Sequence, residues 1–130
     1  MKKTFLIGTL LVAAAPAFAE RVLVAPAGSL CAGASVESGQ FTHFLYEGRA
    51  CSLPIVHAKD MRAFRMKSPV SMELNGCWGK TLGDKILFVD SDGTTSSMPA
   101  GVFAEVELDK QGRGKVLSSF SQDKGWISCP

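Results

Sequence analysis

Beyond residue 19, apolar positions recur mostly at every second place, in runs too short to build a helix face. Residues 70–74 read Val-Ser-Met-Glu-Leu, which puts Val70, Met72 and Leu74 on one side and Ser71 and Glu73 on the other. That alternation predicts a half-buried strand. Continued strictly, it carries Trp78 onto the apolar side and Cys77 off it, so a bulge at Gly76 is expected to turn Cys77 inward. Residues 102–108 alternate in the same way, with Val102, Ala104, Val106 and Leu108 facing together. Lys85 to Asp90 is a compact apolar run, followed by Ser91-Asp92-Gly93. Asp-Gly between two strand-like runs predicts a hairpin, with Thr94 to Ser97 as the returning strand, closed by Pro99 and Gly101. The glycine-bearing stretch from Asp109 to Gly114 predicts a second turn, returning through Lys115 to Phe120.

Upstream, Val22 to Ala25 and Phe41 to Tyr46 are further strand candidates, separated by loops at 26–33 and 37–39. Residues 57–67, HAKDMRAFRMK, fit neither period cleanly. Met61 and Phe64 sit near helical spacing, while Phe64 and Met66 alternate before Pro69. The segment is read as strand or irregular chain, with room for one short helix. Six to eight short strands with frequent turns predict an all-β, mainly antiparallel fold, a small barrel or sandwich.

The one long apolar run has a different meaning. Residues 1–19 read MKKTFLIGTLLVAAAPAFA, with Lys2 and Lys3 first, an uncharged stretch from Phe5 to Ala15, and Ala17-Phe18-Ala19 at the end. That order predicts a secretory signal peptide of bacterial type, cut before Glu20. The run is shorter than the roughly 20 residues a bilayer core demands, so no transmembrane segment is expected after cleavage. No cysteine follows the cut, which argues against a lipidated terminus. Residues 20–130 form a single domain by size, destined for the periplasm or the cell exterior.

Cleavage changes the charge. Lys2 and Lys3 leave with the signal, so twelve of the fourteen lysines and arginines face all twelve carboxylates. A neutral mature chain lacks the electrostatic footprint of a nucleic-acid binder and presents no net field to anionic lipid.

All four cysteines, Cys31, Cys51, Cys77 and Cys129, lie in the exported part. An even number in a short exported chain predicts disulfides. Their spacings of 20, 26 and 52 residues contain no close pair, which disfavours zinc and C-x-x-C redox chemistry. Of the three possible connectivities, we favour Cys51–Cys77 with Cys31–Cys129, the latter tying the two ends of the domain, where chain otherwise frays.

Candidate chemistry is sparse. A nucleophile needs a base and a group to orient it, and the chain has two histidines. His43 lies in a strand candidate, on the side of Phe41 and Leu45, and reads as a partly buried structural residue; His57 lies in a loop. No G-x-S-x-G pattern occurs. Asp90 and Asp92 lack the further acidic positions and closing glutamate of a calcium loop, so they read as turn residues. Glu105 and Glu107 share one strand face and are expected to face solvent. No catalytic residue, metal ligand or cofactor site is assigned. Lys59, Arg62, Arg65 and Lys67 make the one local basic cluster. Together with Trp78 they are the candidate partner surface, set against the simpler readings of a solvated face and, for Trp78, of core or disulfide packing.

Cys51-x-Leu53, Gly76-Cys77-Trp78, Asp92-Gly93, Pro99 and Phe103 make a spaced pattern. It resembles a loose set of small exported bacterial proteins, some associated with prophages and other mobile elements. The similarity spans about half of the mature chain, and Gly-Cys-Trp is its most specific element. It supports pairing Cys51 with Cys77 and carries over no activity and no functional residue. The expected function is a non-enzymatic interaction module that binds a protein or envelope component. Two alternatives are an inhibitor of a secreted hydrolase such as lysozyme, and a small envelope hydrolase using carboxylates.

Overall fold

In the computed structural model, which describes residues 8, 19–68, 70 and 72–130, strand β1 (Glu20–Ala25) is apolar on both sides. Val22 and Val24 enter one cluster, while Leu23 and Ala25 enter another. A strand buried on both sides belongs in the middle of a sheet, where no face meets water. Its neighbours are β3 (His43–Ala50) and β8 (Ala104–Leu108), both antiparallel. The remaining strands are β2 (Ser35–Glu37), β4 (Arg62–Lys67), β5 (Glu73–Lys80), β6 (Lys85–Asp90), β7 (Thr95–Pro99) and β9 (Arg113–Ser119). Among the described residues these nine strands form one antiparallel sheet in the order β2-β9-β8-β1-β3-β4-β5-β6-β7. The one α-helical turn, α1 (Phe120–Asp123), is capped by the Ser119 hydroxyl, which accepts from the Gln122 N–H. The expected all-β antiparallel fold is what forms. The signal sequence expected over 1–19 lies outside the described residues apart from 8 and 19.

Each face of the sheet has its own core. On the first face, Val22, Val24, Phe44, Tyr46, Val106 and Val116 pack with Ala27 and Phe41. On the second, Leu45, Phe64, Trp78, Ile86, Phe88 and Phe103 pack together. The first cluster draws on the β9-β8-β1-β3 half, the second on the β3-β4-β5-β6 half, and β1 and β3 serve both. Edge strand β7 is short, polar and ends at Pro99, features that discourage pairing with another chain.

The Asp-Gly hairpin forms as expected. Gly93 has φ 88°, a conformation open to glycine at little cost. Its N–H donates to the Asp90 carbonyl (2.9 Å), and the Asp92 carboxylate accepts from the Thr94 N–H (2.9 Å). Residues 57–67 divide into a 3-10 turn at Ala58–Asp60 and strand β4. The 70–74 alternation is the main departure. β5 starts at Glu73, and Val70 and Met72 are 76% and 72% exposed; Ser71 lies outside the described residues. Both flank a hairpin end, where no other element covers them. The expected bulge at Gly76 is absent: β4 and β5 pair without interruption from Lys67↔Glu73 to Arg62↔Trp78. Gly76 instead permits close approach, since a Cβ there would run into the Val89 carbonyl of β6. Register shifts fall in β3, between Leu45 and Ala50, and between Glu105 and Val106 of β8.

Candidate functional site

Both favoured disulfides form, Cys51–Cys77 and Cys31–Cys129, leaving no free cysteine. Cys51 follows β3 and Cys77 sits in β5, with β4 between them. Strands two places apart lie about 9.6 Å from each other, yet these Cα atoms are 5.4 Å apart. The chain after β3 therefore rises off the sheet and crosses over β4, which is why Cys77 is fully buried without any bulge. The other bridge joins residues 98 apart in sequence and pins the tail beyond α1 to the segment before β2.

The expected partner surface is not one patch. Trp78 is 6% exposed, and its indole N–H donates to the Tyr46 carbonyl (3.1 Å). Its ring belongs to the second-face core, so it offers nothing to a partner. In β4, Arg62 alternates with Phe64 toward the second face, while Arg65 and Lys67 take the first. Lys59 lies in the 3-10 turn. Among these cations Arg65 enters a structured site. Its guanidinium lies 5.3 Å from the centre of the Phe44 ring and 3.4 Å from the Glu73 carboxylate, and its Nε is buried with no hydrogen-bond partner.

Arg65 lines a groove of about 450 Å³ on the first face, together with Glu20, Phe44, Tyr46, Arg49 and the 109–112 turn. Strand alternation builds it. Glu20 has the parity of Val22 in β1, Phe44 and Tyr46 alternate in β3, and Leu108 carries the chain into the rim turn. Arg49 is fixed from two directions. Its guanidinium stacks 3.9 Å from the Tyr46 ring centre, and its Nε and Nη2 donate to the two Glu20 oxygens, each at 2.7 Å. Those hydrogen bonds raise the Arg49 pKa further. Asp109 is occupied with its own turn, its carboxylate accepting from the Gln111 and Arg113 N–H groups (2.9 and 3.0 Å). Arg49, Arg65 and Lys110 bring the charged donors of the groove, beside the neutral ones of Ser38 and Gln111.

The second face holds a pair of carboxyl groups. Glu47 of β3 and Glu105 of β8 reach toward each other across β1. Burial raises the Glu47 pKa, the Glu105 charge and a hydrogen bond to its carboxyl raise it further, and Lys80 and Arg21 oppose the rise. Glu105 is thus half-buried and paired, where solvent exposure was expected; Glu107, two residues on, is exposed. Beside Glu105 opens a cavity of about 160 Å³ lined by Leu23, Lys80, Phe103 and Phe120. Asp92 keeps its turn role, its pKa lowered by the Thr94 hydrogen bonds.

His43 stands near Phe64 and Phe88, with ring centres at 6.0 and 6.3 Å, and its Nδ1 lies 2.8 Å from the Thr42 hydroxyl. Burial lowers its pKa, which keeps the ring neutral near pH 7. Among the described residues no carboxylate lies within ion-pair distance to orient it. It shares the face of Leu45 as expected, whereas Phe41 packs into the opposite cluster. His57 is exposed, in the left-handed conformation (φ 61°), 3.5 Å from Asp60. Among the described residues no group of three or more histidine, cysteine or acidic side chains is placed to hold a metal ion, and no helix is long and apolar enough to cross a membrane.

Sequence reasoning passed over Glu20, Glu47 and Arg49, and weighed Tyr46 as a groove aromatic only against core packing, where it in fact does both. The only available signal was local: Tyr46, Glu47 and Arg49 cluster within four residues of one strand. No protein-family model, curated protein or solved structure matches the chain.

Proposed function

We propose that the protein is an exported, non-enzymatic interaction module of the bacterial periplasm or cell exterior, which binds a protein or envelope component through the first-face groove. The observation that carries this reading is Arg49, held between the Tyr46 ring and both oxygens of Glu20 at the wall of that groove. A surface arginine ordinarily samples many rotamers, and fixing it in advance removes that entropy cost from any binding event. The two disulfides suit an oxidising compartment. A carboxylate-based hydrolase is supported less well. Glu47 and Glu105 line separate openings, whereas the two carboxyl groups of a glycosidase flank one scissile bond.

The test is site-specific photocrosslinking in the exporting bacterium. A crosslinker at Gln111, on the groove rim, is expected to give a discrete adduct, and one at Ser96, on β7, to give none. Release of soluble fragments from purified cell wall, with no adduct from Gln111, would overturn the reading in favour of an enzyme.

A further inference from the structure

The cations and carboxylates around the groove are not equally engaged. Glu20 spends both oxygens on Arg49, and Asp109 accepts two backbone N–H groups of its turn on Oδ1. Arg49 uses Nε and Nη2 and keeps Nη1 and one hydrogen of Nη2 unbound. Arg65 touches Glu73 at 3.4 Å, through Nη1 alone. Its Nε is shielded from water and unpaired, the only such side-chain atom found among the described residues. A buried N–H of a charged group without an acceptor is costly and calls for an explanation. Lys110 adds a third cation at the rim.

We infer that the groove takes a carboxylate-bearing peptide segment of an exported partner protein, with Arg49 and Arg65 as its anion-binding residues. This inference rests on the reading that the groove is the docking surface. A carboxylate is a planar acceptor with two oxygens, and it suits the guanidinium hydrogens that stay open, Nη1 and one hydrogen of Nη2 on Arg49 and the Nη2 hydrogens of Arg65. Phe44 and Tyr46 beneath the two guanidinium groups hold them in place and limit their hydration. The mature chain is neutral as a whole, so it provides no long-range attraction. Selection falls to these short-range contacts, and binding is expected to be modest in affinity and specific in geometry.

The experiment titrates the oxidised protein with a blocked tetrapeptide carrying two glutamates, and with its glutamine twin. The side-chain Nε–Hε resonances of Arg49 and Arg65 report on the groove. The glutamate peptide is expected to shift the Arg65 resonance and to bind at least about tenfold more tightly than the twin, a difference of about 1.4 kcal/mol. Arg65→Gln should abolish that preference while leaving the melting temperature unchanged, and Glu105→Gln on the opposite face should preserve it. Equal binding of both peptides with groove resonances moving alike would overturn the carboxylate inference and leave the docking surface standing. Shifts confined to the second face or to β7 would overturn both. No movement of any resonance at ~10 mM peptide would overturn the inference, while the crosslinking result would still decide the docking surface by itself.

Discussion

On the first face of β3, Phe44 and Tyr46 carry guanidinium groups over their rings. On the second face of the same strand, Leu45 and His43 enter an aromatic cluster, and Glu47 meets another carboxyl. The two environments differ by one step along the chain. The first-face aromatics divide their contacts between the core and the wall of an open groove. The second-face aromatics contact mostly one another: Phe64 and Phe88 lie 4.7 Å apart, and Phe88 and Phe103 lie 6.2 Å apart. One face therefore combines packing with an exposed polar site, while the other is devoted mainly to packing and has its charged groups at the margin.

That contrast breaks most sharply under truncation. Phe88 is 2% exposed, and Phe88→Ala should cost about 3–5 kcal/mol in urea unfolding. Arg65→Ala should cost less than about 1 kcal/mol, because its ion pair is partly solvated. Similar losses would mean that the groove arginine is structural. The disulfides come next. Replacing Cys51 and Cys77 together by alanine should remove roughly 2–4 kcal/mol. The Cys31–Cys129 pair closes a longer loop, 98 residues against 26, and by chain entropy its loss should cost about 1 kcal/mol more. A reversed order would show that burial of Cys77 outweighs loop length.

The smallest effect is tied to pH. The folded pKa of Glu47 lies above its unfolded value, so the folded state holds more protons between the two. Stability is full at and below the ordinary glutamate range and falls as pH rises through the raised value. Glu47→Gln should flatten that fall, stabilising the protein at pH 8 more than at pH 4, by less than about 1 kcal/mol given the solvent around the pair. Thermal melts at both pH values measure it, and an unchanged slope in the variant would assign the dependence to other groups.

Much of the fold was legible because it rests on neighbours in sequence. The Asp92-Gly93 turn, the alternation from Ala104 to Leu108 and the even cysteine count each state a local physical requirement. The 70–74 alternation misled because period-two spacing marks a possible strand without saying what will lie over it. Val70 and Met72 fall at a hairpin end and stay bare. Cys77 misled in the opposite sense, since alternation assumes one wet face and β5 has chain crossing over its other side. The site was harder to read. Glu20, Tyr46, Arg65 and Lys110 come from three strands and a turn, and Glu47 and Glu105 meet only because β1 threads between β3 and β8. Arg65 was singled out by its charge among neighbouring cations, whereas its position over Phe44 depends on the register of β3 against β4.

The crossing of chain over β4 has a dynamic consequence. The Cys51–Cys77 bond closes a covalent ring that contains all of β4, and β4 is hydrogen-bonded to β3 on one side and β5 on the other. Its amides have no partial route to solvent, because peeling the strand away would pull the ring along with it. Deuterium uptake there should follow whole-molecule opening alone, while β7, outside the ring with one side unpaired, exchanges by fraying. Reducing the bond should quicken exchange in β4, yet leave it slower than in β7, because β4 keeps a paired strand on each side.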